Sequence, residues 1–207
     1  IDWSSENYSI KVTYGSEDMG TTKFMSVPYA MSASNGITIA QADAITANTA
    51  KIGVYTDAND NTAAGVDALS TESGIRNTAI GKNALKSNLE GAYNTSIGYW
   101  SLTTNTYGSH NTAVGNYALQ LNTKGSYNVA TGKSSLQYNT EGNHNTASGV
   151  YALQSNTTGD YNTATGTHAL ESNTTGNHNT ASGAHALKRN TTGYNNTASG
   201  YNALQSN

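Results

Sequence analysis

From Gly74 onward the chain repeats every 17 residues as G-x-x-N-T-A-x-G-x-x-A-L-x-x-N-T-x, and Gly74, Gly91, Gly108, Gly125, Gly142, Gly159, Gly176 and Gly193 open successive copies. A period this short, held over more than half the chain, means that each unit is one coil and buries its apolar face only against its neighbours. The predicted fold is therefore all-β, a parallel β-roll or β-solenoid spanning residues 54–207 in nine repeats. The first copy runs one residue short: Asn61, Gly65 and Leu69 stand 16 positions ahead of Asn77, Gly81 and Leu85, as in a capping coil.

Composition supports a solenoid over a flexible tail. Only 35% of the 207 residues are hydrophobic, with one Phe against fourteen Tyr, yet only 11% are charged. Asn, Thr, Ser and Gly fill the difference, rather than the Lys and Glu that mark disorder. The net charge of −3 includes no basic stripe, which argues against nucleic acid. No apolar run reaches membrane-spanning length and no signal peptide is visible. Without Cys there are no disulfides or thiolate metal sites. The chain opens on Ile1 and closes on Asn207 inside a repeat, so it reads as a piece of a longer protein.

Within a coil, Asn-Thr-Ala-x-Gly alternates like a strand, Gly ends it, and x-x-Ala-Leu is expected to form a second short run before Asn-Thr turns the chain. Each position then becomes a ladder. The core ladder is Leu85, Leu102, Leu119, Leu136, Leu153, Leu170 and Leu187, with an Ala column beside it that changes only to Ser101 and Ser135. The Thr column from Thr78 to Thr197 admits Val129, which suggests an inward or half-buried hydroxyl. Two Asn columns, Asn77 to Asn196 and Asn88 to Asn207, are expected to hydrogen-bond with their copies above and below. So small an apolar core per coil sets little burial against the entropy of ordering the backbone, which favours chains that share an interface.

Ahead of the repeats, residues 1–34 read as a small β connector. Tyr8, Ile10, Val12 and Tyr14 alternate onto one face, Gly15 supplies a turn, and a second strand is expected to include Thr22–Met25. Ser26-Val27-Pro28-Tyr29-Ala30 resembles a junction that recurs in large secreted proteins of the Bacteroidetes type ahead of fibre-like repeats. Residues 35–53 are predicted to be a short helical coiled coil: Ile37–Ile52 is Ala-rich with no Gly or Pro, and Ile45 and Ile52 lie one heptad apart with Asn48 at d. Val54–Asp60 then carries Asp57, Asn59 and Asp60. Thr62 and Leu69 stand where an EF-hand loop would need Gly and Glu, so a polar turn is the better reading than a calcium loop.

The segment Ile45-Thr46-Ala47-Asn48-Thr49-Ala50-Lys51 resembles the I-x-x-N-T-x-x motif of trimeric autotransporter stalks, and Asn61–Asn207 resembles the YadA-like head repeats of those adhesins and related tail-fibre proteins. The resemblance implies a left-handed, homotrimeric solenoid on a trimeric coiled coil. It also implies an anion, chloride or another, held on the axis by three copies of Asn48, whose buried amides would otherwise lack partners. The usual head unit is shorter and carries Val or Ile where this chain has Thr and Ala. The function implied is a non-catalytic segment of an extracellular or cell-surface fibre that binds a cell-surface glycan or protein receptor. The alternative is a tail fibre of a phage or contractile injection particle.

Function should lie in the variable columns. One holds Tyr93, His110, Tyr127, His144, Tyr161 and His178; another holds Trp100, Tyr117, Tyr151, His168 and His185. Regular aromatic ladders are candidate platforms for sugar rings, and the competing reading is that the rings stack on each other and stiffen the rod. His110, His144 and His178 lie two coils apart, too far to share one ion; only His168 and His185 fall in adjacent coils, and no structural metal is expected. The repeat acids occupy scattered phases, so an enzyme, such as a polysaccharide-cleaving solenoid, is not expected. Ice binding is the remaining class, disfavoured while the Thr columns read as single and inward.

Overall fold

The computed structural model describes residues 8–14, 17–24, 55–71 and 74–206, in two compact units, Ile1–Asn48 and Thr49–Asn207. In the first, β1 (Tyr8–Tyr14) pairs antiparallel with β2 (Glu17–Phe24), in register from Tyr8 opposite Phe24 to Tyr14 opposite Glu17, with a shift between Lys11 and Thr13. The second strand begins earlier than the sequence suggested. The predicted coiled coil over 35–53, Asn48 and the Ser26–Ala30 junction lie outside the described residues.

The second unit is a parallel β-solenoid. Nine three-residue strands follow one another in chain order: β4 (Thr62–Ala64), β5 (Thr78–Ile80), β6 (Thr95–Ile97), β7 (Thr112–Val114), β8 (Val129–Thr131), β9 (Thr146–Ser148), β10 (Thr163–Thr165), β11 (Thr180–Ser182) and β12 (Thr197–Ser199). Every strand pairs with the next without slippage, Thr163 opposite Thr180 and Ala164 opposite Ala181, for example. A two-residue strand β3 (Tyr55–Thr56) closes the entry edge by pairing antiparallel with β4.

Pleat parity decides which columns enter the coil. Asn points in, Thr out, Ala in, and the fourth residue out: Asn162, Ala164, Ala169 and Leu170 are fully buried while Thr163 and Thr165 are exposed. The Thr column therefore faces outward, half-buried in the early coils and exposed in the later ones, and not into the core; Val129 is tolerated because it meets water, at 40% exposure.

The second run of each coil also departs from expectation. The x-x-Ala-Leu block is turn, and every Leu of the core column sits in the left-handed region, from Leu69 at φ 43° to Leu85 and Leu170 at 51°. An extended second strand would carry the chain past the point where a 17-residue coil must close, so Leu bends back while its N–H still bonds the next coil, Leu119 to the Ser135 carbonyl at 3.0 Å. Left-handed backbone costs a branched side chain roughly 1 kcal/mol or more. Burial of Leu85 through Leu187 at 0% exposure offsets that cost.

The rest of the interior is amide. In the first Asn column, Asn111 Oδ1 accepts from both the backbone N–H and Nδ2 of Asn128, at 3.0 and 3.2 Å. In the second, Asn122 Nδ2 donates to Asn105 Oδ1 at 2.8 Å. Both columns converge on the glycine that opens the next coil: Asn111 Nδ2 and Asn122 Nδ2 each donate to the Gly125 carbonyl at 2.9 Å. A Cβ on Gly125 would stand 2.4 Å from Asn122 Oδ1 and from the Gly142 carbonyl, so only glycine fits. The glycine that ends each strand is held for another reason, a φ near +137° at Gly115 with the Gly132 carbonyl 2.6 Å from any added Cβ.

At the entry end there is no earlier Asn for Asn61 to meet, and Asp57 takes that place. Its carboxylate accepts from Asn61 N–H and Asn61 Nδ2, both at 2.9 Å, and from Asn59 N–H at 2.8 Å. These bonds, Asn61's side chain first, hold the Asp57 carboxyl below the usual aspartate range. The polar turn expected here is thus the cap of an internal ladder.

Candidate functional site

The residue before each buried Asn turns a corner of the coil in left-handed backbone, with φ from 55° at His144 to 59° at His110 and Tyr127. Parallel register then places like corners at strand spacing, so their side chains project side by side. Tyr93, His110, Tyr127, His144, Tyr161 and His178 form one unbroken stack. Successive ring centroids are 4.8, 4.8, 4.9, 4.8 and 5.0 Å apart and the planes are within 7° of parallel. The stack is capped at its first ring by Arg76, whose guanidinium lies 5.7 Å from the Tyr93 centroid and donates to the Tyr93 hydroxyl at 3.0 Å. Arg76 also faces Asp60 at 3.5 Å, and the Tyr93 hydroxyl, followed by Asp60, raises its pKa further.

This geometry limits what the ridge can do. Both faces of each inner ring are covered by neighbouring rings, so a sugar cannot lie flat on Tyr127 or His144. The exposed parts are ring edges, a line of Tyr hydroxyls and imidazole nitrogens. Beside them run Ser109, Ser126, Asn143, Asp160 and Asn177, which are themselves tied to one another: Ser109 N–H donates to Ser126 Oγ at 3.0 Å and Asn143 N–H to Asp160 Oδ1 at 2.6 Å.

The second aromatic column is half-buried and interrupted at Ser134. Tyr151 stacks on His168 at 5.0 Å with a tilt of 26°, and His168 on His185 at 5.0 Å and 7°. Trp100 Nε1 donates to the Asn83 side-chain oxygen at 2.9 Å, in the amide orientation that also turns the Asn83 nitrogen toward Asp67. Tyr117 meets Tyr99 edge-on, with centroids 5.5 Å apart and planes at 89°. Tyr99 was not legible as a site residue because its column, which includes Lys82, Asn116 and Lys133, has no periodic chemistry. It is 40% exposed, and among the described residues no ring lies parallel on it.

One ladder changes from amide to charge. Gln137 and Gln154 continue an amide ladder, each donating to the Gln one coil earlier at 2.8 and 3.0 Å. In the next two coils Glu171 and Lys188 replace them and pair at 3.1 Å, while His168 Nδ1 meets Glu171 at 2.9 Å. His185, one coil on, has Lys188 where His168 has Glu171, and its Nδ1 is buried without a hydrogen-bond partner. Among the described residues no group of three or more His, Asp and Glu is placed to hold a metal ion.

The outward sheet face is the remaining uniform surface. It carries two columns, Thr78 to Thr197 and the residue two positions on, which is Ile80, Ile97 and Val114 in early coils and Thr131, Ser148, Thr165, Ser182 and Ser199 in later ones. Neither column contains a charge from β4 to β12.

Comparison of the chain with family models, curated proteins and solved structures returned no match.

Proposed function

We propose that the chain is a non-catalytic segment of an extracellular, homotrimeric fibre that attaches to cell-surface or other surface glycans. The observation that carries this reading is the six-ring Tyr and His ridge, which runs along the solenoid on one edge and offers regularly spaced hydroxyls and imidazole nitrogens. A polyhydroxylated ligand meets it edge-on by hydrogen bonds, and Tyr99 is among the exposed rings on which no other ring lies parallel. Trimerisation rests on the resemblance to autotransporter heads and on the Asn48 heptad. The early coils add support, since Ile80 and Ile97 pair on the outward sheet face and are both exposed.

Light scattering on the soluble chain tests the assembly, because a single chain at 21.6 kDa would remove the trimer from the reading. Glycan-array binding tests attachment. Loss of signal on Tyr127→Ala together with Tyr161→Ala, with the fold retained by circular dichroism, is the expected result, and an array with no signal for the unmodified chain overturns the assignment.

A further inference from the structure

The turn and strand threonines of this solenoid differ in one respect. At the turn, the Thr that follows the buried Asn uses its hydroxyl internally: Thr123 donates to the Thr140 carbonyl at 3.0 Å, Thr140 to that of Thr157 at 3.1 Å and Thr157 to that of Thr174 at 3.0 Å. On the outward sheet face, the hydroxyls of Thr146, Ser148, Thr163, Thr165, Thr180 and Ser182 make no hydrogen bond to protein among the described residues, and all but Thr146 are exposed. Their backbones are fixed by the register of one parallel sheet, Thr163 opposite Thr146 and Thr180, and Thr165 opposite Ser148 and Ser182. The array is thus rigid, uncharged and unsatisfied by the protein.

Its spacing is set by the sheet. Hydroxyls repeat about 4.8 Å apart between coils and about 6.6 Å apart along each strand, from Thr163 to Thr165 for example. A two-dimensional net of that size comes near the oxygen spacings on prism faces of hexagonal ice. β-Branched Thr adds a methyl group and a restricted χ1, which hold each hydroxyl in position instead of leaving it to rotate. The buried interior of Ala, Leu and paired Asn allows the sheet little room to deform.

We infer that the outward sheet face of the later coils, β9 to β12, where every outward residue is Thr or Ser, binds ordered water and through it the surface of ice. This goes beyond the glycan reading and does not depend on it, because it uses the opposite chemistry, hydroxyls without aromatic rings, and needs only the folded solenoid. The apolar early coils, with Ile80 and Ile97 in the second column, lie outside the site.

The test uses the full chain and ice as the probe, reading crystal shape, thermal hysteresis and inhibition of recrystallisation. The unmodified chain is expected to facet ice and to suppress recrystallisation. Thr163→Lys with Thr165→Lys puts two charges in the centre of the net and is expected to abolish both effects, while Thr158→Lys, in an exposed turn, leaves them unchanged. Ser148→Thr with Ser182→Thr supplies two of the three methyl groups missing from the second column and should raise activity, a gain that misfolding cannot imitate. Absence of ice shaping by the folded, unmodified chain overturns the inference. So does equal activity in the double-lysine variant. Light scattering on the same variants decides the competing use of the face: if double lysine dissociates an oligomer, the face is a contact between chains and the inference fails.

Discussion

Asn111 and Asn122 belong to different ladders and different sides of the coil, yet their side-chain amides meet at one atom, the carbonyl oxygen of Gly125, each at 2.9 Å. Both lone pairs of that oxygen are used, and the arrangement recurs at Gly142, Gly159 and Gly176 with the Asn residues of their own coils. Two columns that are far apart in the repeat are thereby tied into one buried network.

Removing one amide should be costly. Asn122→Ala takes one donor from Gly125 and the donor that Asn105 Oδ1 receives, leaving buried polar groups short of partners. The expected loss is about 1–3 kcal/mol, read as a lower urea midpoint with an unchanged slope.

Gly125→Ala tests the other side of the same contact. The added Cβ falls against Asn122 Oδ1 and the Gly142 backbone, neither of which can retreat without parting two coils. Its destabilisation should exceed that of Asn122→Ala, and equal midpoints for the two variants would show that the coils shift apart freely.

The aromatic ridge should stabilise as well as present chemistry. His144→Ala removes two stacked contacts, with Tyr127 and Tyr161, and at about 0.5–1.5 kcal/mol per pair the loss should be measurable by thermal unfolding. His144→Tyr keeps a planar ring at the same left-handed corner and should restore most of it. If alanine and tyrosine behave alike, the stack contributes nothing to stability.

Acid should loosen the entry end first. The folded-state pKa of Asp57 is depressed, so its stabilising contribution is complete above the unfolded value, near 3.9, and is lost as pH falls through the lower folded value. The hydrogen-exchange protection of Asn61 and Asn77, taken relative to the intrinsic rate at each pH, is therefore expected to fall below the ordinary aspartate range. Asp57→Asn, which keeps one acceptor oxygen and cannot titrate there, should flatten that acid dependence.

Much of this architecture was legible in the repeat. An unbroken 17-residue phase fixes a stack of identical coils, and invariant Leu and Asn columns can sit only where neither water nor variation reaches. That is why the Leu ladder and the paired amides are legible in the sequence. Asn48 and its heptad remain readings of sequence alone.

Tertiary structure decided the directions. From sequence, Val129 in the Thr column suggests an inward or half-buried hydroxyl; closure around Leu and two Asn columns leaves inner room only for Ala, so Thr163 and its copies face solvent. Sequence did not show that Leu153 bends at φ 50° where an extended run was expected, or that Tyr127 and His144 leave the chain from left-handed corners. Those torsions follow from closing each ring in 17 residues, a constraint set by the whole coil and by no single residue. They turn the variable column from a row of open platforms into a continuous stack with only its edges exposed.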